Sequence, residues 1–150
     1  MKPEELYHTG LVVDDIEATM RLFTDVAGYE WCDQFAGEQV VQLPGGERTL
    51  MMRGVYSLSE PRLELVGTIP DTLWQPTNAG VHHLGYWSDE VDRDVATLVA
   101  NGVQLEARSL LPDGSSLWAY CRAASGPRIE FVSRVLEPVM SEWWATGRTG

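Results

Sequence analysis

The pattern of residues predicts an α+β chain made of two copies of one β-α-β-β-β unit. Three observations carry this prediction. The chain has 150 residues, the size of one compact domain (residues 1–150). It repeats itself: His8-Thr9-Gly10-Leu11-Val12-Val13-Asp14-Asp15 returns as His83-Leu84-Gly85-Tyr86-Trp87-Ser88-Asp89-Glu90, with His, Gly and an acidic pair at matching offsets. Further along each copy, Pro61-Arg62-Leu63-Glu64-Leu65-Val66 returns as Pro127-Arg128-Ile129-Glu130-Phe131-Val132. The copies span about 5–67 and 80–133.

The elements follow in order. Leu6 to Val13 has the β-branched, apolar character of a strand. Asp14 or Asp15 can cap the helix that follows, because a carboxylate there accepts from free helix amides. Ile16, Met20, Phe23 and Ala27 form a helical stripe, and Gly28 suits the left-handed residue beyond its end. Three strands are expected next, near 29–35, near 39–43 or 49–56, and at 61–67. Residues 68–79, with Pro70, Pro76 and Asn78, read as a linker.

The second copy repeats the order. Val81 to Trp87 reads as a strand. Val91, Val95, Leu98 and Val99 make a helical stripe closed by Gly102. Strands are expected near 104–109, 117–122 and 127–133. The tail over about 135–146, with Val139, Met140, Trp143 and Trp144, reads as an added amphipathic helix whose tryptophans cover core or a subunit contact.

Composition narrows the function. Twenty-two acidic side chains against 11 basic ones give a net charge of −11, which argues against nucleic acid and against anionic membrane surfaces. No apolar run of about 18 residues is present to span a bilayer, and Met1-Lys2-Pro3-Glu4-Glu5 does not open a signal peptide. The two cysteines, Cys32 and Cys121, lie far apart, as free thiols of a reducing cytoplasm would.

The repeated His and Glu need a chemical reason. Alternate residues of a strand face one side. Leu63 and Leu65 would face the helix, so Glu64 faces away from it with Arg62 and Val66. Ile129 and Phe131 place Glu130 likewise. Gly10 shares a face with His8 and permits close approach there. One His and one Glu per copy, His8 with Glu64 and His83 with Glu130, can then meet where the copies pair. Two imidazoles and two carboxylates suit one divalent ion such as zinc, nickel, cobalt, manganese or iron(II). Four protein ligands leave two octahedral positions for a bidentate small-molecule substrate.

On these segments, from Leu6 to about Arg134, the chain resembles the vicinal oxygen chelate superfamily of glyoxalase I, methylmalonyl-CoA epimerase, extradiol dioxygenases and bleomycin resistance proteins. The resemblance implies paired βαβββ modules whose U-shaped sheets enclose one metal, held by His8 and His83 from first strands and by Glu64 and Glu130 from last strands. In the doublet His82-His83, His83 aligns with His8, and His82 points to the other face as a structural residue. Glu64 is closer to glyoxalase I, since the epimerase branch usually carries Gln there, while the His-His doublet is similar to the epimerase side. A homodimer is implied as well. The chemistry implied is proton transfer through an enediolate, in an isomerase, epimerase or lyase, with Glu130 as the candidate base. An iron(II) ring-cleaving dioxygenase and a non-catalytic binder are the alternatives. Arg62 and Arg128 are read as substrate anchors or rim ion pairs. Trp31, Trp118 and Tyr120 are read as core or pocket wall, and Gln39 and Gln42 as further cleft candidates.

Overall fold

A computed structural model describes residues 1–78 and 80–148, so the last residue of the expected linker, Ala79, lies outside the described residues. The first half contains β1 (Leu6–Val13), α1 (Ile16–Ala27), β2 (Phe35–Leu43), β3 (Gly46–Tyr56) and β4 (Leu63–Gly67). The second contains β5 (His83–Ser88), α2 (Val91–Ala100), β6 (Gln104–Leu110), β7 (Ser116–Arg122) and β8 (Arg128–Ser133). A 3-10 turn over Arg134–Leu136 leads into α3 (Glu137–Thr146). The predicted α+β architecture of two β-α-β-β-β halves with a C-terminal helix is what forms.

Strand order is the same in both halves. β1 lies parallel to β4, which pairs antiparallel with β3 and so to β2; β5 lies parallel to β8, then β7, then β6. The halves join through antiparallel β1 and β5 and, on the far side, through Gln42 of β2 opposite Arg108 of β6. The eight strands thus close into a barrel.

Strand alternation sorts the side chains into three layers. Outside the first half, Leu65 and Val55 pack under Ile16 and Met20 of α1. Outside the second, Phe131, Ile129 and Ala119 pack under Val91, Val95 and Leu98 of α2. The opposite face of each last strand points into the barrel, placing Glu64, Val66, Glu130 and Val132 there. Val99, read as part of the second stripe, is instead half-exposed, as the helix turns it away from the sheet. Asp15 is the residue that caps α1, accepting from the Ala18 amide at 2.8 Å, and Gly28 and Gly102 have φ of +71° and +83°, the left-handed region that glycine enters without penalty.

Two expectations need correction. Of the strand expected near 29–35, only Phe35 lies in a sheet, as the first residue of β2; residues 29–34 form no strand, and Trp31 makes a lone bridge to Ser57. The reason is competition for edges: β2 and β4 occupy the two sides of β3, so the 29–34 segment meets only the chain beyond β3's end. Both alternatives at 39–43 and 49–56 are strands, paired as a hairpin around Pro44-Gly45. The segment between the halves contributes to the core. Trp74 is fully buried in it and packs edge-on against Trp118 and Tyr120.

Candidate metal centre

Register builds the site. Across the middle of the sheet His83 lies opposite Gly10, Gly10 opposite Glu64, and Glu64 opposite Tyr56. The second half mirrors this row as His8, Gly85, Glu130 and Tyr120. In each row a glycine separates imidazole from carboxylate. A Cβ at Gly10 would fall inside the ring of His83, and one at Gly85 inside the ring of His8. The imidazoles therefore lie across the bare backbone of the neighbouring strand, and the repeated His-x-Gly exists for that crossing.

The four predicted side chains converge. His8, Glu64, His83 and Glu130 are all buried, with one candidate donor atom each, all within 4.8 Å of one another. The two Nε2 atoms are 2.9 Å apart. Glu64 Oε2 lies 3.0 Å from His83 Nε2 and 3.5 Å from His8 Nε2; Glu130 Oε2 lies 3.1 Å from His8 Nε2 and 3.5 Å from His83 Nε2. Donors about 2.0–2.2 Å from one shared ion stand roughly 3.0–3.5 Å apart. Glu130 Oε2 is also buried without a hydrogen bond, a costly state for an anionic oxygen unless a cation faces it. The cluster could hold one divalent ion.

Protons around the cluster are ordered by its neighbours. His82 Nε2 sits 2.8 Å from the Leu73 carbonyl oxygen, so that nitrogen carries the proton and donates. Burial, reinforced by His83, pushes the His82 pKa down to about 3, so the ring is neutral and its Nδ1 is an acceptor. His83 Nδ1, 3.0 Å away, donates to it, and the lone pair of His83 Nε2 is left facing the cluster. His82 points away from the four-residue cluster, yet it orients His83 within it.

His8 has no such partner, and its buried Nδ1 makes no hydrogen bond. Burial opposes a charge on His8, but the two carboxylates of Glu130 and Glu64 beside it prevail and raise its pKa to about 9. For Glu64 burial favours the neutral acid, while the closeness of His8 and His83 outweighs it and holds the carboxyl well below its usual range. Burial, then the two carboxylates, raise Tyr120 and Tyr56 well above the ordinary phenol value, so both stay protonated.

A cleft of about 200 Å³ opens over Glu64 and Glu130. Its walls include Phe35, Met52, Trp118 and Tyr120 from strands, and Met140 and Trp143 from α3. Gln39 enters it and accepts from Trp118 Nε1 at 3.2 Å. Gln42 instead binds Arg108. Trp31 stays outside, packed beside α1. Arg62 lies 4.0 Å over the Trp144 ring and donates to the carbonyls of Ser57 and Leu58, while Arg128 pairs with Glu106.

Sequence reasoning missed Tyr56 and the cleft-lining role of the tail. A signal for Tyr56 was present, since a tyrosine precedes each repeated glutamate by eight or ten residues.

A model of the Glyoxalase/Bleomycin resistance protein/Dioxygenase superfamily matches residues 7–121. No curated protein matches the chain. Among solved structures, a Streptomyces coelicolor methylmalonyl-CoA epimerase variant in complex with 2-nitronate-propionyl-CoA is 20% identical, with 86% of this chain and 96% of that one covered at a TM-score of 0.57. A methylmalonyl-CoA epimerase in complex with methylmalonyl-CoA and ammonium is 20% identical over 86% and 93% of the chains, TM-score 0.58. The Mycobacterium tuberculosis methylmalonyl-CoA epimerase is 16% identical over 86% and 87%, TM-score 0.54. At these identities the likeness is one of fold.

Proposed function

Because the chain belongs to the Glyoxalase/Bleomycin resistance protein/Dioxygenase superfamily, we propose that it is a divalent-metal-dependent isomerase, epimerase or lyase that binds a small molecule through two adjacent oxygens and moves a proton on the carbon beside a carbonyl. The observation that carries this reading is the buried His8, Glu64, His83 and Glu130 cluster at the floor of a cleft. A divalent ion in that cluster would supply Lewis-acid stabilisation of negative charge on the two substrate oxygens.

The chain's own residues supply the rest. His83, oriented by His82, and His8 present Nε2 lone pairs as ligands once His8 is neutral. The two carboxylates then differ in role. Glu64 is held ionised between both histidines and is a weak base. Glu130, with an oxygen free of hydrogen bonds, takes the proton from the substrate carbon and returns it; a carboxylate that ligates a cation must loosen to do this. Protonated Tyr56 and Tyr120, each opposite one of the glutamates, can donate to oxygens in the cleft, and the apolar walls exclude water that would compete for the proton. A ring-cleaving dioxygenase uses two histidines and one carboxylate, and the second carboxylate of the cluster weighs against it. The epimerases of similar fold take CoA esters; which carbonyl compound this chain takes depends on its own cleft.

Glu130→Gln tests the assignment. The variant should fold, bind a divalent ion more weakly and lose solvent-deuterium exchange at the carbon beside the carbonyl. Unchanged metal content and unchanged exchange would contradict it.

A further inference from the structure

The cleft over the glutamates is lopsided in its chemistry. Carboxylates form its floor, Gln39 offers a neutral amide, and the remaining walls are apolar or aromatic. Among the described residues no lysine or arginine lines it. The chain has a single lysine, Lys2, outside the cleft.

Three arginines on or beside the last strands, which carry the glutamates, are committed elsewhere. Arg62 stacks on Trp144 and bonds two carbonyls. Arg128 is paired with Glu106. Arg134 is shared among Glu5, Asp89 and Glu137. Moving any of them to a ligand would break existing partners. The overall charge of −11 adds a repulsive field for anions, and burying an unpaired anionic group against these walls would be costly. Size points the same way. At about 200 Å³ the cleft lies below the roughly 300–1,000 Å³ of drug-sized pockets.

We propose that this cleft takes a small, uncharged, aromatic or largely apolar carbonyl compound with two adjacent oxygens, and that Met140 and Trp143 of α3 select for it. Nucleotide-bearing thioesters such as CoA esters, and small dicarboxylates, are excluded by charge. The aromatic walls give a flat ring faces and edges to pack on: Phe35, Tyr56, Trp118, Tyr120 and Trp143 all line the cleft, and Trp143 is held there by edge-on contacts to Phe35 at 5.9 Å and Tyr56 at 5.5 Å. α3 is thus a specificity element.

This inference rests on the proton-transfer reading for the adjacent oxygens, and the experiment separates the two. The zinc-loaded full chain is titrated calorimetrically with 2-hydroxyacetophenone, propionyl-CoA and malonate, then again after metal removal. The account expects 2-hydroxyacetophenone to bind at least tenfold tighter than either anion, at least tenfold weaker without metal, and at least fivefold weaker to Trp143→Ala. Trp143→Ala should keep the zinc content and the circular-dichroism spectrum of the parent chain, which separates lost binding from lost fold. Tighter binding of propionyl-CoA or malonate would overturn the substrate class while leaving the proton-transfer reading intact. Equal binding of 2-hydroxyacetophenone with and without metal would overturn chelation of its oxygens while leaving the apolar class intact. Binding of none of the three at millimolar concentration would overturn the inference.

Discussion

Gly10 and Gly85 show how a single missing side chain can make room for a cluster that could hold a metal ion. Each occupies the place where the other half's imidazole lies across the sheet, and each stands in register between a histidine and a glutamate. Gly85→Ala would drive a methyl group into His8, and neither backbone can retreat without opening the β1–β5 ladder. Overpacking of this kind costs about 1–3 kcal/mol. The variant should therefore melt at lower temperature and lose at least tenfold in affinity for a divalent ion; wild-type affinity by calorimetry would contradict the packing argument. The importance of these glycines was legible in the sequence as a shared face with His8. What the glycine admits was not, because the crossing ring comes from a residue 73 positions away, and only strand pairing brings it near.

At the scale of elements, local signals and tertiary competition divided the outcome. The strand, helix and glycine stop that open each half were legible because their periodicity and caps act within a few residues. The capping choice between Asp14 and Asp15 resolves through geometry: Asp15 reaches the Ala18 amide, and Asp14 instead accepts from Thr68. Asp15→Ala should cost about 1 kcal/mol in denaturant unfolding. Glu90→Ala should cost far less, since Glu90 at the start of α2 makes no side-chain bond to the helix amides; equal losses would contradict the capping account. The segment 29–34 has strand-like residues but no free edge to pair with, and no local pattern reports an occupied edge. Likewise, an amphipathic tail was legible, but its docking over the cleft depends on Phe35 and Tyr56 from distant strands. The His–Glu pairs of the candidate site were legible because duplication wrote them twice; His82's hold on His83 was not, since its anchor is a carbonyl in the linker.

For the whole molecule, two halves hold charge at their seam that neither satisfies alone, and this sets a pH signature. In the metal-free protein His8 has a pKa of about 9, above its ordinary 6.5. Its contribution to stability is complete below about pH 6.5 and disappears as pH rises through 9. Glu64, held below its ordinary value, contributes above about pH 4.5 and loses that contribution in acid. A divalent ion requires neutral His8 and competes with its proton. The gap in melting temperature between metal-loaded and metal-free protein should therefore widen from pH 6.5 to 9 in scanning calorimetry, and a constant gap would contradict the charge assignment. No helix of the described residues is long and apolar enough to cross a membrane, and Cys32 and Cys121 are buried free thiols. The central claim is that one ion sits where the two halves meet. The most direct test is an anomalous difference map from crystals of the full chain grown with cobalt. The account predicts one strong peak per chain, about 2.0–2.2 Å from His8, Glu64, His83 and Glu130. No peak at this position, or a peak held by other residues, would contradict it.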